Sequence, residues 1–423
     1  VHRGKAVTLV IKATITPSTS TAALKLNEDG SLNVLTSSVE LGQGAKTVLA
    51  QIAADAAQVP LEKVLVSEPD TDLTPYDQQT SSSRTTFSMG SAIVLAARDL
   101  TRKLMDLAGE FLEVAAHDLR VREGKVEVRG VPERSLDYAS ILRRARRGTL
   151  IGEGAFTTQG GLDLETGQGI GSVHWHQAAA ACEVEVDTET GKVKVLSFYP
   201  SVFAGRAVNP RLCELQTEGS TFFGLGQALF EEMKYDDHGQ VVNRNLGDYM
   251  IPSFEDGPLE LRVTLLEHEG AGESHGIGET SLPPVMPAIA NAVYNAVGVR
   301  IKDLPITPEK ILRGLKEKNI AAARELFLRE ILLAVALGFV VRARDYLQKK
   351  EAGQDEESEH HKNSKRDVDF FCGVGLFFCL SRPPPHILFY RHGITALFCP
   401  RGLAKPARHS PCGRYSLVPR PLK

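Results

Sequence analysis

Residues 39–55 read VELGQGAKTVLAQIAAD. A short apolar lead-in ends at two glycines that bracket Gln43. An apolar spacing of four residues then follows through Val48, Ile52 and Ala56. The pattern predicts a strand, a tight Gly42-Gln43-Gly44 turn and a helix over 44–58 that Pro60 ends. Two glycines let backbone approach a ligand closely, and a helix N-terminus ordinarily presents unpaired N–H groups to an anion. By itself such a turn is more often structural than ligand-binding.

Working outward, AVTLVIKA (6–13) and AALKLNEDGSLNVLT (22–36) predict strands, with Asn27-Glu28-Asp29-Gly30 as the hairpin turn between them. VLVSEPDTD leads from another strand into a polar loop over 70–84. A 3.6-residue apolar period through Ile93, Ala96, Leu100, Leu104 and Phe111 predicts a long helix over 88–119. A Gly-rich stretch, 148–172, is followed by a second hairpin, 179–198, turned at Asp187-Thr188-Glu189-Thr190-Gly191. Helices are expected at 212–233 and 284–298. Hairpins mixed with helices argue α+β, with no alternating βαβ run. The two strand pairs, 6–36 and 179–198, should lie in different lobes. These would be a first lobe over 1–150 and a second over 151–317.

The apolar stretch 326–341 contains Arg329 and Glu330. Its uninterrupted run, Ile331 to Val341, is shorter than the roughly 20 residues of a membrane span, so 318–350 reads as a helical extension. EAGQDEESEHHKNSKRD, 351–367, reads as a charged linker, and 351–423 as an irregular, disordered or non-native tail of the kind frame-shifted or readthrough translation leaves. The net charge of -3 gives no reason to expect nucleic acid. Of six cysteines only Cys182 and Cys213 lie in the main body. That suggests a reducing, cytoplasmic setting without a disulfide framework. The tail cysteines, Cys372, Cys379, Cys399 and Cys412, match neither a zinc-ribbon nor a ferredoxin spacing.

Three further motifs can carry chemistry. Thr80-Ser81-Ser82-Ser83 can wrap a phosphate or heterocycle with hydroxyl and backbone donors, or be a solvated loop. Gly205-Arg206-Ala207-Val208-Asn209-Pro210 opens a helix on which Gln216 reads as a buried amide that needs partners. Gly276-Ile277-Gly278-Glu279 sets one carboxylate among Gly and Pro residues before an apolar helix. That suits a general base, or simply a charge favoured by the helix dipole. His174 and His176, two apart, could share a strand face, but two ligands do not make a metal site.

Taken in order, VELGQGAKTVLAQIAAD, DTDLTPYDQQTSSSRTT, EVEVDTETGKVKVL, GRAVNP, LQTEGSTFFGLGQALFEE, DYMIP and GIGETSLPPVMPAIANAV resemble the second molybdopterin-binding domain of the xanthine dehydrogenase/aldehyde oxidase family, from about residue 4 to 317. The resemblance implies a two-lobed α+β molybdopterin-binding domain from the large subunit of a molybdenum hydroxylase. It also implies an N-terminal truncation, because the family's hammerhead-like and first cofactor-binding domains have no counterpart here. The cofactor would be molybdenum-molybdopterin, with the cytosine dinucleotide form open, and the metal held through the pterin dithiolene with no protein ligand. Gln43 would sit near the metal's oxo group, with Gly42 and Gly44 beside it. Ser82, Ser83, Gln216 and Gly278 would hold the pterin, and Glu279 would be the base for hydroxylation of a carbon by water. Iron–sulfur and FAD groups are expected on partner chains, with a small-molecule substrate, an aldehyde or N-heterocycle, and no membrane. A non-catalytic remnant or assembly module would carry the same motifs.

Overall fold

The computed structural model describes residues 1–268 and 272–351. Its first unit, Val1–Ile331, opens with β1 (His2–Ala13), β2 (Thr19–Asn27), β3 (Leu32–Leu35), α1 (Ala45–Ala57), β4 (Val64–Val66) and α2 (Gly90–Leu112). A meander of β5 (Leu119–Arg122), β6 (Lys125–Val128) and β7 (Val131–Asp137) leads to α3 (Tyr138–Arg144). Then come β8 (Thr149–Thr157), the small pair β9 (Gly161–Leu162) and β10 (Gly169–Ile170), β11 (Trp175–Val186) and β12 (Val193–Gly205). Next are α4 (Pro210–Leu229), β13 (Glu260–Leu261), β14 (Thr264–Glu267) and α5 (Val285–Val297). The last element is α6 (Pro308–Glu351), which takes in the apolar stretch near 326–341. No helix among the described residues is long and apolar enough to cross a membrane. The expectations for the tail past Glu351 fall outside the described residues.

Two sheets carry two cores. One is four-stranded, in the order β4-β3-β2-β8, with α1 and α2 packed on it. Leu24, Leu26, Leu32 and Val34 meet Leu49, Ile93, Leu100 and Leu104 with no exposure. Strand β8 lies hard against α2 because Gly152 and Gly154 have no Cβ. A methyl there would sit on the Ala96 or the Ala92 carbonyl. Helix α1 buries Ala45, Leu49, Ala53 and Ala57, one residue round from the Val48–Ile52–Ala56 stripe read in the sequence. Both stripes are apolar, and the alanine-rich one permits the closer approach to α2.

The second sheet has the order β1-β11-β12-β13, with β14 also beside β12. Along β11 every second residue is buried, from His176 through Ala178, Ala180, Cys182 and Val184 to Val186. Helix α5 covers this face through Val285, Ala288, Ile289, Ala292 and Val293.

One strand departs from the expected pairing. Residues 6–13 do not form a hairpin with 22–36. β1 instead pairs antiparallel with β11 along its whole length, from His2 opposite Val186 to Ala13 opposite Trp175. The Asn27–Gly30 turn joins β2 to β3, both inside 19–35. A period of two marks a strand but not its neighbour, and the selecting contact is with α5, nearly 300 residues away in sequence. Gly4 lies so close to α5 that a Cβ would overlap the Ala292 carbonyl.

The 70–84 loop is held by a buried ion pair. Arg84 Nη1 donates to Asp77 Oδ1 at 2.6 Å, and both side chains are almost wholly buried. Arg84 also donates to the carbonyls of Gln79 and Thr19 and to Ser20 Oγ. Asp77 accepts further hydrogen bonds from Ser20 and Ser38. Breaking such a pair leaves a buried charge without its partner. Asp77→Asn should therefore lower unfolding free energy by about 3–5 kcal/mol in urea titrations at neutral pH. Lys46→Met, which removes the exposed Lys46–Glu68 pair, should cost under about 1 kcal/mol. A smaller loss at Asp77 than at Lys46 would overturn the anchoring role.

Candidate functional site

One cavity of about 690 Å³ lies where the two sheets' connecting segments converge. Its wall comes from the Leu41–Ala45 turn, Thr80–Ser81, Ser83 and Thr85–Thr86, the start of α4 with Gln216, and the 275–279 loop. Of the residues singled out in the sequence, Gly42, Gln43, Gly44, Ser83, Gln216, Gly278 and Glu279 all line it. Ser82 does not. Its Oγ accepts from the Ile15 amide at 3.0 Å and its carbonyl from Thr14 Oγ1 at 3.1 Å, so it ties the turn to the end of β1.

The α1 N-terminus differs from its sequence reading. Its amides are not free for an anion, because Glu40 folds over them. Glu40 Oε1 accepts from the amides of Gly42 (2.8 Å) and Gly44 (2.9 Å), and Oε2 from Lys46 (3.0 Å). Burial pushes this carboxyl up, but the three amides and the Lys46 charge outweigh it and hold it below its usual range. The Gln43 side chain closes on its own turn, donating to the Val39 carbonyl and accepting from the Leu41 amide. An acidic residue just before a helix start is the signal that would have found Glu40.

Ser82 and Ser83 both sit at positive φ, 54° and 57°. Two successive left-handed non-glycine residues store about 1–3 kcal/mol each. The strained turn delivers Ser83 to the 276–279 loop, where Ser83 Oγ accepts from the Glu279 amide at 3.0 Å and lies 3.5 Å from Glu279 Oε2. Gly276 must be glycine here, since a Cβ would overlap the Ser83 carbonyl. From the other side, Gln216 Nε2 donates to the Gly278 carbonyl at 2.8 Å, which gives that half-buried amide its partner.

Glu279 itself pairs with Lys12 of β1, Oε2 to Nζ 2.8 Å, with its side chain 48% exposed. Among the described residues it makes no contact with the first-turn amides of α5, so it is not a cap of that helix. Sequence reading passed over Lys12, because a single lysine on an alternating strand reads as a solvated charge.

Behind the 275–279 loop lie three histidines. His174 stacks on His275 with centroids 4.4 Å apart, and His176 meets His174 edge-on at 4.7 Å. Among the described residues no group of three or more His, Cys, Asp or Glu is placed to hold a metal ion. Both ring nitrogens of His174 and of His176 are buried without hydrogen-bond partners. Burial, then the neighbouring His275 and Lys12, brings His174 down to about 4. Burial, then His174 and Lys12, brings His176 down to about 3. The folded chain keeps these rings neutral while the unfolded chain protonates them below about 6.5. Stability is therefore lost as pH falls below that value, down to the folded-state values. His176→Leu should shrink the fall in thermal midpoint between pH 7 and pH 5, a window above the ordinary carboxylate range. An unchanged fall would contradict the assignment.

Residues 1–258 match the family model described as molybdopterin cofactor-binding domain. The chain is 34% identical over 300 residues to the xanthine dehydrogenase molybdenum-binding subunit of Escherichia coli, covering 69% of this chain and 38% of that one. It is 31% identical over 312 residues to subunit gamma of the 6-hydroxypseudooxynicotine dehydrogenase complex of Paenarthrobacter nicotinovorans, covering 71% and 38%. Quinoline 2-oxidoreductase from Pseudomonas putida 86 superposes with a TM-score of 0.64 at 29% identity, over 74% of this chain and 42% of that one. The aldehyde oxidoreductase of Desulfovibrio gigas gives 0.63 at 26%, over 74% and 32%. The chain thus spans well under half the length of the relatives it matches. With more than half its length matched by one family model, and with the motif order that pointed there, this chain belongs to the molybdopterin cofactor-binding domain family.

Proposed function

We propose that the chain is the molybdenum-cofactor-binding part of an oxidoreductase that hydroxylates an aldehyde, N-heterocycle or aromatic carbon with water. The observation that carries this reading is Glu279. Its carboxylate lines the same cavity as the Gln43 turn and Gln216, although the three are far apart in sequence. The donor set fits a molybdopterin. A volume near 690 Å³ falls in the range of small-molecule sites, about 300–1,000 Å³. Thr80, Ser81, Thr85, Thr86, Asn209 and Gln216 offer hydrogen bonds to a heterocycle's edges, and Leu41, Val48, Leu212, Phe223 and Ile277 an apolar surface for its faces. Gly42, Gly44 and Gly278 would let backbone approach it closely, Ser83 and Gln216 would hold it, and Gln43 would stand beside it. Ser82 fixes the turn that presents Ser83. When bound, the cofactor supplies two-electron redox chemistry.

What the chain itself supplies is a base. Glu279 takes a proton from the attacking water in the cavity, on the carboxylate oxygen that no protein group engages. The two cysteines among the described residues, Cys182 and Cys213, are both free. By family resemblance, electrons are expected to leave through iron–sulfur and FAD groups on partner chains. The two lobes expected over 1–150 and 151–317 would each centre on one sheet, except that β1 joins the sheet of the second and β8 completes that of the first.

Glu279→Gln keeps the size and a hydrogen-bonding group but cannot accept the proton. In the assembled enzyme it should lower turnover by about 10² to 10⁴-fold while molybdenum and pterin content stay level. A variant with full rate would remove the base assignment. Cofactor bound at full content in the unsubstituted enzyme without turnover on any aldehyde or N-heterocycle would favour a non-catalytic assembly module.

A further inference from the structure

We infer that Lys12 is a positioning residue for Glu279: it holds Oε2 so that Oε1 is the oxygen presented to the cavity. The inference rests on the reading of Glu279 as the base. Three observations carry it. First, the contacts on the carboxylate are one-sided. Oε2 takes both the Lys12 ammonium at 2.8 Å and the Ser83 hydroxyl at 3.5 Å, while Oε1 has no protein partner among the described residues. Second, Lys12 is itself constrained. It lies in register opposite His176 on β1, is 23% exposed, and its Nζ is 3.3 Å from the Ala13 carbonyl. The chain just beyond it is tied to Ser82 through Thr14 and Ile15. Third, the surroundings leave Lys12 as the cation that meets the carboxylate. His174 and His176, next to it, are buried and held neutral near pH 7.

The need for such a residue follows from exposure. A carboxylate on two methylenes, nearly half exposed, rotates freely unless one oxygen is fixed. Proton transfer requires the accepting oxygen within hydrogen-bond reach of the donor. A misplacement of about 1 Å costs about 10²-fold in rate. An ammonium of three donors fixes one oxygen and leaves the other open. A guanidinium in the same place tends to take both oxygens of a carboxylate.

The test uses the assembled enzyme and the cofactor-free chain together. In the enzyme, Lys12→Met should lower kcat by about 10- to 100-fold with KM and cofactor content little changed. Lys12→Arg should recover part of the loss through its retained charge. Added to Glu279→Gln, Lys12→Met should cost nothing further, because both act through one carboxylate. In the cofactor-free chain, acylation of Lys12 by an amine reagent, followed by peptide mass spectrometry, should be several-fold faster in Glu279→Gln than in the parent. The exposed Lys192 serves as internal reference. Normal kcat in Lys12→Met beside an inactive Glu279→Gln would overturn the Lys12 role alone. An active Glu279→Gln would overturn the base reading and the Lys12 role with it. Acylation unaltered by Glu279→Gln would deny the pairing itself, whatever the kinetics. Should Lys12→Met fail to fold, Lys12→Gln and the labelling arm still decide.

Discussion

The Arg84–Asp77 pair is the contact from which the site hangs. Burying two charges is costly, and their mutual attraction compensates only where their remaining donors and acceptors are satisfied. Here nearly all are. Arg84 spends its two terminal nitrogens on Asp77, Gln79, Thr19 and Ser20, and Asp77 takes Ser20 and Ser38 as well. Only Arg84 Nε is left without a partner. The groups so joined belong to the start of β2, the chain after β3 and the end of the 70–84 loop. The pair thereby sets where Ser82 and Ser83 stand. Those two residues in turn fix the end of β1 and the 276–279 loop. The energy stored in their left-handed backbone is retained only because the ion pair and the β1 contacts over-determine the turn.

Much of this was legible beforehand, and the boundary follows interaction range. The Leu100–Leu104 stripe of α2, the Asn27–Gly30 turn and the helix expected near 284–298 are local patterns, and each appears where its residues predict. The resemblance grouped Gln43, Ser82, Ser83, Gln216 and Glu279 around one cofactor, and all of these but Ser82 line one cavity. What could not be read was the choice of partner across long separations. β1 prefers β11 to β2 because Gly4 and Ala6 admit α5 closely, a matter of complementary volume rather than period. Ser82 and Ser83 are adjacent and chemically identical. Ser82 is tied to the end of β1 and Ser83 lines the cavity, a difference set by the folded turn as a whole.

Electrostatics at the cavity follow the same logic. The histidines behind the 275–279 loop add no positive charge near neutral pH, because burial denies it to them. Lys12 is therefore the nearest standing charge to the loop from β1, and it adds to the cost of protonating His174 and His176. The same ammonium pairs with a carboxylate in front and disfavours imidazolium behind.

Two glutamates show how environment separates roles that composition cannot. Glu40 and Glu279 each follow a β-branched residue by one or two positions, each stand beside glycines, and each stand close to a lysine. Glu40 gives both oxygens to backbone amides, so any proton it accepted would break the start of α1. Those contacts hold it ionised, and it serves the turn that shapes the cavity wall. Glu279 gives one oxygen to Lys12 and Ser83, while the other has no protein partner among the described residues, so no backbone amide is tied to it. A carboxylate can act as a base only where its protonated form is also accommodated. By that criterion Glu40 is excluded as a base, and the proposed role falls to Glu279. The difference lies in the number of amides within reach, which is a property of the folded turn and not of either residue.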